Sequence, residues 1–462
     1  MKQKLKKWVG TREFYQRMMI IAVPIMIQNG ITNFVNMLDN IMVGRIGTNQ
    51  MSGVAIINQL LFVFNLCIFG GISGAGIFTA QFFGKGDQEG IRYSFRFKLL
   101  TCLAVSLAGY FVLIRFRDPL ILRYLHDAGE SGNAEATRLY AREYLQVMYL
   151  HLLPFALTQA YAGTLRECNE TMLPMKAGLA AVLINLCLNY ILIYGKFGAP
   201  ALGVTGAAIA TIVSRFAELA IVVFYAHTHT DRFPFMKGLY RSMRIPAALV
   251  RSMLIKGTPL LVNEALWSMG QTILVQNYAM RGLEVIAALN ISSTISNLFN
   301  IVFISLGNAV AIIIGQELGA HKEDVKEDAF RLTFFAVAVC FVVGAALLLT
   351  ARIFPEVYNT EEEVKRIATG LICVSAVCMP LNAFNNASYF ILRSGGNTFI
   401  TFLFDAVFTW IVMVPLSYVL THYTGMPIIP LFLLCQLTEL LKCFLGFAMV
   451  QKGIWINDVT TT

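Results

Sequence analysis

The sequence predicts an all-α integral membrane protein, with twelve transmembrane helices in two six-helix bundles related by a pseudo-two-fold axis along the membrane normal. Three observations lead there. Of 462 residues, 57% are apolar and only 14% charged, against roughly 25% charged in a soluble domain. The apolar residues come in runs near the ~20 residues that cross a bilayer. The second half of the chain also repeats the first. Alternating ten-residue strands, the mark of a membrane barrel, are absent, which leaves helices.

The elements follow in order. The first apolar run, 18–42, comes after Lys2, Lys4, Lys6 and Lys7. It is longer than a signal-peptide core and no A-x-A site follows, so it reads as span 1. Span 2 (53–79) contains GGISGAG at 70–76. No strand precedes that motif, so it indicates close helix packing rather than a phosphate loop. Spans 3 and 4 cover 97–116 and 138–163. His151 in span 4 reads as a hydrogen-bonded packing residue before a proton relay. Spans 5 and 6 cover 172–194 and 204–228. The basic segment 229–253, with Arg232, Lys237, Arg241, Arg244 and Arg251, links the halves. Spans 7 to 12 are read at 254–279, 284–315, 330–351, 364–390, 398–420 and 427–450. The domain reading is a six-helix bundle over 1–228, a cytoplasmic linker over 229–253 and a second bundle over 254–462.

Charge and cysteine narrow the function. The net charge of +9 belongs to loops rather than to a nucleic-acid face, because most of the 34 Phe sit inside apolar runs. About two-thirds of the basic residues fall on the side of the amino terminus, which places both termini in the cytoplasm. The nine Cys include no C-x-x-C and lie mostly in apolar runs, as reduced thiols would. No zinc, haem or P-loop motif occurs. No polar stretch exceeds about 30 residues, too short for an extramembrane catalytic domain. A clustered nucleophile, base or metal site is absent, so no enzyme and no cofactor are expected.

Shifted by 235 residues, Pro24 meets Pro259, Gly47 meets Gly282, and Phe64-Asn65 meet Phe299-Asn300. Ile77, Gln81 and Gly84 meet Ile312, Gln316 and Gly319. Further on, LRECNET (165–171) meets LRSGGNT (392–398). Six spans per half means parallel repeats, an architecture of transporters in which substrate sits between two bundles. Pro24 and Pro259 each free a backbone carbonyl and permit a bend, which makes them candidate hinges.

Ionisable groups at membrane depth mark function or pairing. Asp39 lies ~30 Å along span 1 at ~1.5 Å per residue, in its outer half. Asn185 and Asn189, one turn apart on one face of span 5, and Thr211 on span 6 lie at similar height. Convergence of the four would give an oxygen site for Na⁺ or, at the carboxylate, for H⁺. Glu264 falls near the middle of span 7, with Trp267 three residues on. The pair suits an organic cation by charge and cation–π attraction, although Trp267 equally suits helix packing. Arg215 with Glu218, and Glu439 with Lys442, read as i,i+3 pairs. Asp405 has no local partner; pairing with span 10 or 12 and a functional role are both open.

The segments NMLDNIMVGRIGT (36–48), GQELGAHKEDVK (315–326), the span 5–6 hairpin NLCLNYILIYGKFGAPALGVTGAAIATIVSR and LRSGGNT together resemble the multidrug and toxic compound extrusion (MATE) family of bacteria, closest in motifs to its NorM-type branch. The resemblance implies export of small organic, often cationic, compounds driven by Na⁺ or H⁺. It assigns Asp39, Asn185, Asn189 and Thr211 to an amino-lobe cation site, and Glu264 to the span 7 acid of the NorM-type branch, so the coupling cation has two candidate carboxylates, Asp39 and Glu264, one in each bundle. A second acid of that branch is replaced here by Asn382, which is left as a substrate-lining candidate. Some members carry Asp where this chain has Asn189, so Na⁺ and H⁺ both stay open. The expected location is the cell inner membrane, as a monomer among membrane lipids with no nucleic-acid partner. The rivals are a lipid-linked oligosaccharide flippase of the same superfamily and a non-transporting receptor or scaffold.

Overall fold

The computed structural model describes residues 10–127 and 134–461. The four amino-terminal lysines lie outside the described residues. Ten helices among these residues are long and apolar enough to cross a membrane. They supply spans 1 to 3 (Arg12–Gly44, Thr48–Lys85, Gln88–Arg115), 5 and 6 (Met172–Tyr194, Gly203–Thr228), and 8 to 12 (Leu283–Gly319, Val325–Thr350, Glu362–Ser394, Thr398–Tyr423, Ile428–Lys452). Several run well past the apolar window that predicts them, because polar turns continue the same hydrogen-bond ladder beyond the hydrocarbon depth.

Spans 4 and 7 complete the twelve, and both differ from expectation. Span 4 is Ala134–Met148 and Leu152–Glu167 joined by a 3₁₀ turn at Tyr149–His151. Pro154 has no N–H for the Leu150 carbonyl, so the ladder loosens just before it. Span 7 is Ala247–Ala279 with Pro259 inside it. Its start at Ala247 shortens the linker read at 229–253.

That linker is tied down. Arg96 donates to the carbonyls of Leu239 (2.9 Å), Gly238 (3.0 Å) and Arg244 (3.2 Å), and Arg92 to that of Phe235 (3.1 Å). Phe233, Phe235, Met236 and Leu239 are buried beneath it. Span 11 is not a regular helix either: residues 403–407 and 409–413 form π-helical turns. Pro415 follows them, and its missing N–H leaves the Ile411 carbonyl to a wider turn. Span 12 is two segments, Ile428–Leu437 and Glu439–Lys452, meeting at Thr438.

The chain divides into two compact units. The amino-half unit is Ile27–Thr79 with Gln88–Val250. Here the turn between spans 5 and 6 aligns two polar faces. Gly195 closes span 5 in the left-handed region at φ 65°. Leu202 N–H donates to the Leu192 carbonyl at 2.8 Å. Gly206 sits so close to that carbonyl that a Cβ would stand 2.6 Å from it.

The carboxy-half unit is Met1–Met26, Ala80–Asp87 and Arg251–Thr462. Relative to the halves read from the sequence, the start of span 1 and the end of span 2 count here. Its core runs from Met18 and Ile21 through spans 8 to 10 to a fully buried Trp455. Residues matched by the 235-residue repeat meet in this core. A Cβ at Gly84 would overlap the Gln316 carbonyl, and one at Gly319 would overlap the Gln81 carbonyl. The Gln81 amide donates to the carbonyls of Ser394 (2.9 Å) and Asn457 (3.1 Å) and accepts from Val459 N–H (2.8 Å).

Large apolar side chains also cover the outside of both units. Phe111, Phe224, Phe341, Leu349, Ile411 and Phe444 are each at least two-thirds exposed. A soluble surface does not carry that much contiguous apolar area; a multi-pass membrane protein requires it.

Candidate functional site

Inside the amino-half unit, spans 1, 5 and 6 bring the four residues read from the sequence together. Asn189 Nδ2 donates to Asp39 Oδ1 at 2.6 Å and to Asn185 Oδ1 at 3.1 Å. Asn185 Nδ2 donates to Thr211 Oγ1 at 3.3 Å, whose own proton goes to the Ala207 carbonyl at 3.0 Å. With the Asn185 amide turned over, its nitrogen stands 3.0 and 3.2 Å from the two Asp39 oxygens. Asn185 and Asn189 are buried, while Asp39 and Thr211 are half-buried. The i,i+4 spacing on span 5 puts both amides on the face that meets Asp39, as expected.

The site has unused capacity. Asn189 Oδ1 is buried with no hydrogen-bond donor among the described residues. A buried oxygen without a donor is costly, and a cation satisfies it. Asp39 makes no ion pair among the described residues. The nearby guanidinium of Arg215 is taken by Glu218 at 2.8 Å and lies over the Phe155 ring. That pair forms as the i,i+3 spacing predicts. No group of three or more His, Cys, Asp or Glu that would hold a metal occurs among the described residues. One carboxylate with amide and hydroxyl oxygens fits one monovalent hard cation, or a proton on the carboxylate.

Two further residues belong here. Tyr144, buried on span 4, turns its hydroxyl toward Thr211 and stands 3.5 Å from Asn58 Oδ1. Nothing in the sequence set this tyrosine apart from the other 16. His151 is buried and stacked on Phe155 at 5.3 Å. Its Nδ1 has no hydrogen-bond partner among the described residues.

In the carboxy-half unit, Glu264 is half-buried with the Tyr389 hydroxyl, Arg393 and Asp405 as its polar and charged neighbours. Trp267 is 40% exposed. Neither it nor Asn382 forms a hydrogen bond with Glu264. The residue that organises this region is Asn263, one position earlier. Its Nδ2 reaches Asp405 Oδ2 (3.1 Å) and Tyr389 Oη (3.4 Å), and its Oδ1 accepts from Ala406 N–H (3.2 Å). Lys442 pairs across helices with Asp405 at 2.7 Å, not with Glu439 as its spacing suggests. Glu439 instead accepts from Asn385 at 2.6 Å. Glu439 and Lys442 share the segment Glu439–Lys452, but the Asn385 amide on span 10 takes the Glu439 carboxylate and Asp405 on span 11 takes the Lys442 ammonium.

The fold is that of a multi-pass membrane protein with a polar cluster inside a helix bundle. The MatE family model matches residues 24–191 and again 259–419, starting each time on one of the two repeat prolines. The chain belongs to the MatE family, whose members are transporters and not enzymes, and its twelve spans in two six-helix bundles are that family's fold. It is 25% identical to "Probable multidrug resistance protein YoeA" of Bacillus subtilis (strain 168), over 90% of this chain and 89% of that one. It is 23% identical to "Probable multidrug resistance protein NorM" of Thermotoga maritima, over 89% and 86%. A solved structure of a variant of the Vibrio cholerae MATE transporter VcmN superposes with a TM-score of 0.85 at 16% identity, over 97% and 99% of the two chains.

Proposed function

We propose that this transporter is a cation-coupled antiporter that exports small organic cations by alternating access. The observation that carries the reading is Asp39: a carboxylate inside the amino-half unit, ordered by Asn189 and Asn185, with no basic side chain paired to it among the described residues. Such a group binds an exchangeable cation instead of a permanent one. The multidrug names of the relatives support the substrate class.

In the proposed cycle, Asp39 takes Na⁺ or H⁺ from outside, and Asn185, Asn189 and Thr211 complete the shell. Neutralising the carboxylate favours the inward state, and substrate then favours the return. Coupling follows because the two ligands prefer different states. Glu264 attracts the organic cation, with Trp267 and Asn382 lining its path. Pro24 and Pro259 are the hinges. The protein works as a monomer in the inner membrane with both termini in the cytoplasm, its apolar belt covered by lipid.

The test is uptake of a fluorescent organic cation into everted vesicles or proteoliposomes under a Na⁺ or an H⁺ gradient imposed separately. Uphill movement under one gradient supports the reading and names the ion. No movement of any cation in a panel, by protein shown to be folded, removes it. Translocation of a lipid-linked sugar instead would establish the flippase reading.

A further inference from the structure

The two units each set a half-buried aspartate against an asparagine amide, but they treat it differently. In the amino-half unit the partners of Asp39 are neutral. In the carboxy-half unit Asp405 has the same kind of neutral partner, Asn263 at 3.1 Å, and also a cation. Lys442 Nζ stands 2.7 Å from Asp405 Oδ1 with side-chain exposures of 8% and 16%. The rings of Phe404 and Phe408 lie 5.3 and 5.9 Å from the ammonium.

A buried ion pair is weak evidence for stability, because desolvation of both charges offsets their attraction. Burying this one therefore calls for another reason. Asp405 also sits in the π-helical part of span 11, and π-turns gather at functional positions because they re-aim a side chain. Around the pair, the charged and titratable groups are Glu439 and Cys443 on span 12, Glu264 on span 7, and Tyr389 and Arg393 on span 10. Glu439 is held by Asn385, so Lys442 is the cation at hydrogen-bond distance from Asp405.

We infer that Lys442 is a tethered cation: its ammonium occupies, permanently, the cation position at Asp405, whose second oxygen is ordered by the Asn263 amide. The carboxy-half unit then holds a latent site that takes no coupling ion, and the exchangeable ion binds only in the amino-half unit. This rests on the reading of Asp39 given above. Removing the ammonium while keeping its apolar stem, as in Lys442→Met, leaves a carboxylate held by one amide N–H group, as Asn189 holds Asp39. Such a carboxylate takes a cation from solution, for which Na⁺ is the probe.

The experiment is equilibrium binding of radioactive Na⁺ to the purified full chain in detergent, at mildly alkaline pH. Asp39→Asn is expected to bind no Na⁺ specifically. Asp39→Asn with Lys442→Met is expected to gain specific Na⁺ binding at about one site per chain, and adding Asp405→Asn should remove it. The inference is overturned if folded Asp39→Asn/Lys442→Met gains no site. It is equally overturned if Asp39→Asn alone keeps a Na⁺ site that Asp405→Asn abolishes.

A charge-neutral variant guards against misfolding. Asp405→Asn with Lys442→Met buries no charge and should transport within about twofold of wild type; a loss beyond tenfold would place the pair in the ion path and refute the tether. Failure of the Asp39 reading looks different: Asp39→Asn would then leave gradient-driven transport unchanged, whatever the Lys442 variants bind.

Discussion

Asn189 does two things at once: one amide proton orders Asp39, and its oxygen is left without a donor. A hydrogen bond to a charged group is worth about 1.5–3 kcal/mol, so Asn189→Ala should weaken binding of the coupling ion roughly 10- to 100-fold. Ion-dependence of transport rate in proteoliposomes measures this, and an unchanged half-saturating concentration would remove Asn189 from the site. Glu264 gives a separable expectation. Glu264→Gln should raise KM for a cationic substrate about tenfold or more, with less effect on a neutral one, because only charge is lost. Equal effects on both would make Glu264 a packing residue. The polar residues of spans 1, 5 and 6 were legible in the sequence because helical spacing sets which side chains share a face. Tyr144, Asn263 and the Lys442–Asp405 pair were not. They act between helices far apart in sequence, and Glu439 offered Lys442 a nearer partner that is instead held by Asn385 on span 10.

The elements themselves were largely readable, since each span needs its own apolar run. What the runs did not show was where the ladder is irregular. Span 4 breaks ahead of Pro154 and span 11 widens ahead of Pro415, yet Pro24, Pro259 and Pro380 stay inside continuous helices. Neighbouring helices decide which prolines break a span, and composition does not record them. Pro24 also lies two residues before the point where span 1 passes from one compact unit to the other. Pro24→Ala restores an N–H donor and stiffens that passage, so transport should slow several-fold while membrane insertion is unchanged; wild-type transport would remove the hinge. The repeat-matched glycines should behave alike. Gly84→Ala and Gly319→Ala each force a Cβ into the opposing backbone carbonyl, and each should cost about 1–3 kcal/mol. Thermal unfolding in detergent reads this as a lower Tm in both; a change in neither would contradict the contact.

At the scale of the molecule, the chain is a duplicated transporter whose two halves have diverged in charge. The duplication is visible as a 235-residue shift in sequence and as two matches to one family model. The divergence is visible only in three dimensions: one unit leaves its aspartate to neutral partners, and the other gives its aspartate a lysine. The central claim is that Asp39 carries the coupling ion. The most direct measurement is gradient-driven efflux of a fluorescent organic cation from proteoliposomes by wild type and Asp39→Asn, with substrate binding measured alongside. Asp39→Asn should bind substrate and insert normally but lose uphill efflux at least about 100-fold. Asp39→Asn that still pumps against the gradient at the wild-type rate would contradict that claim.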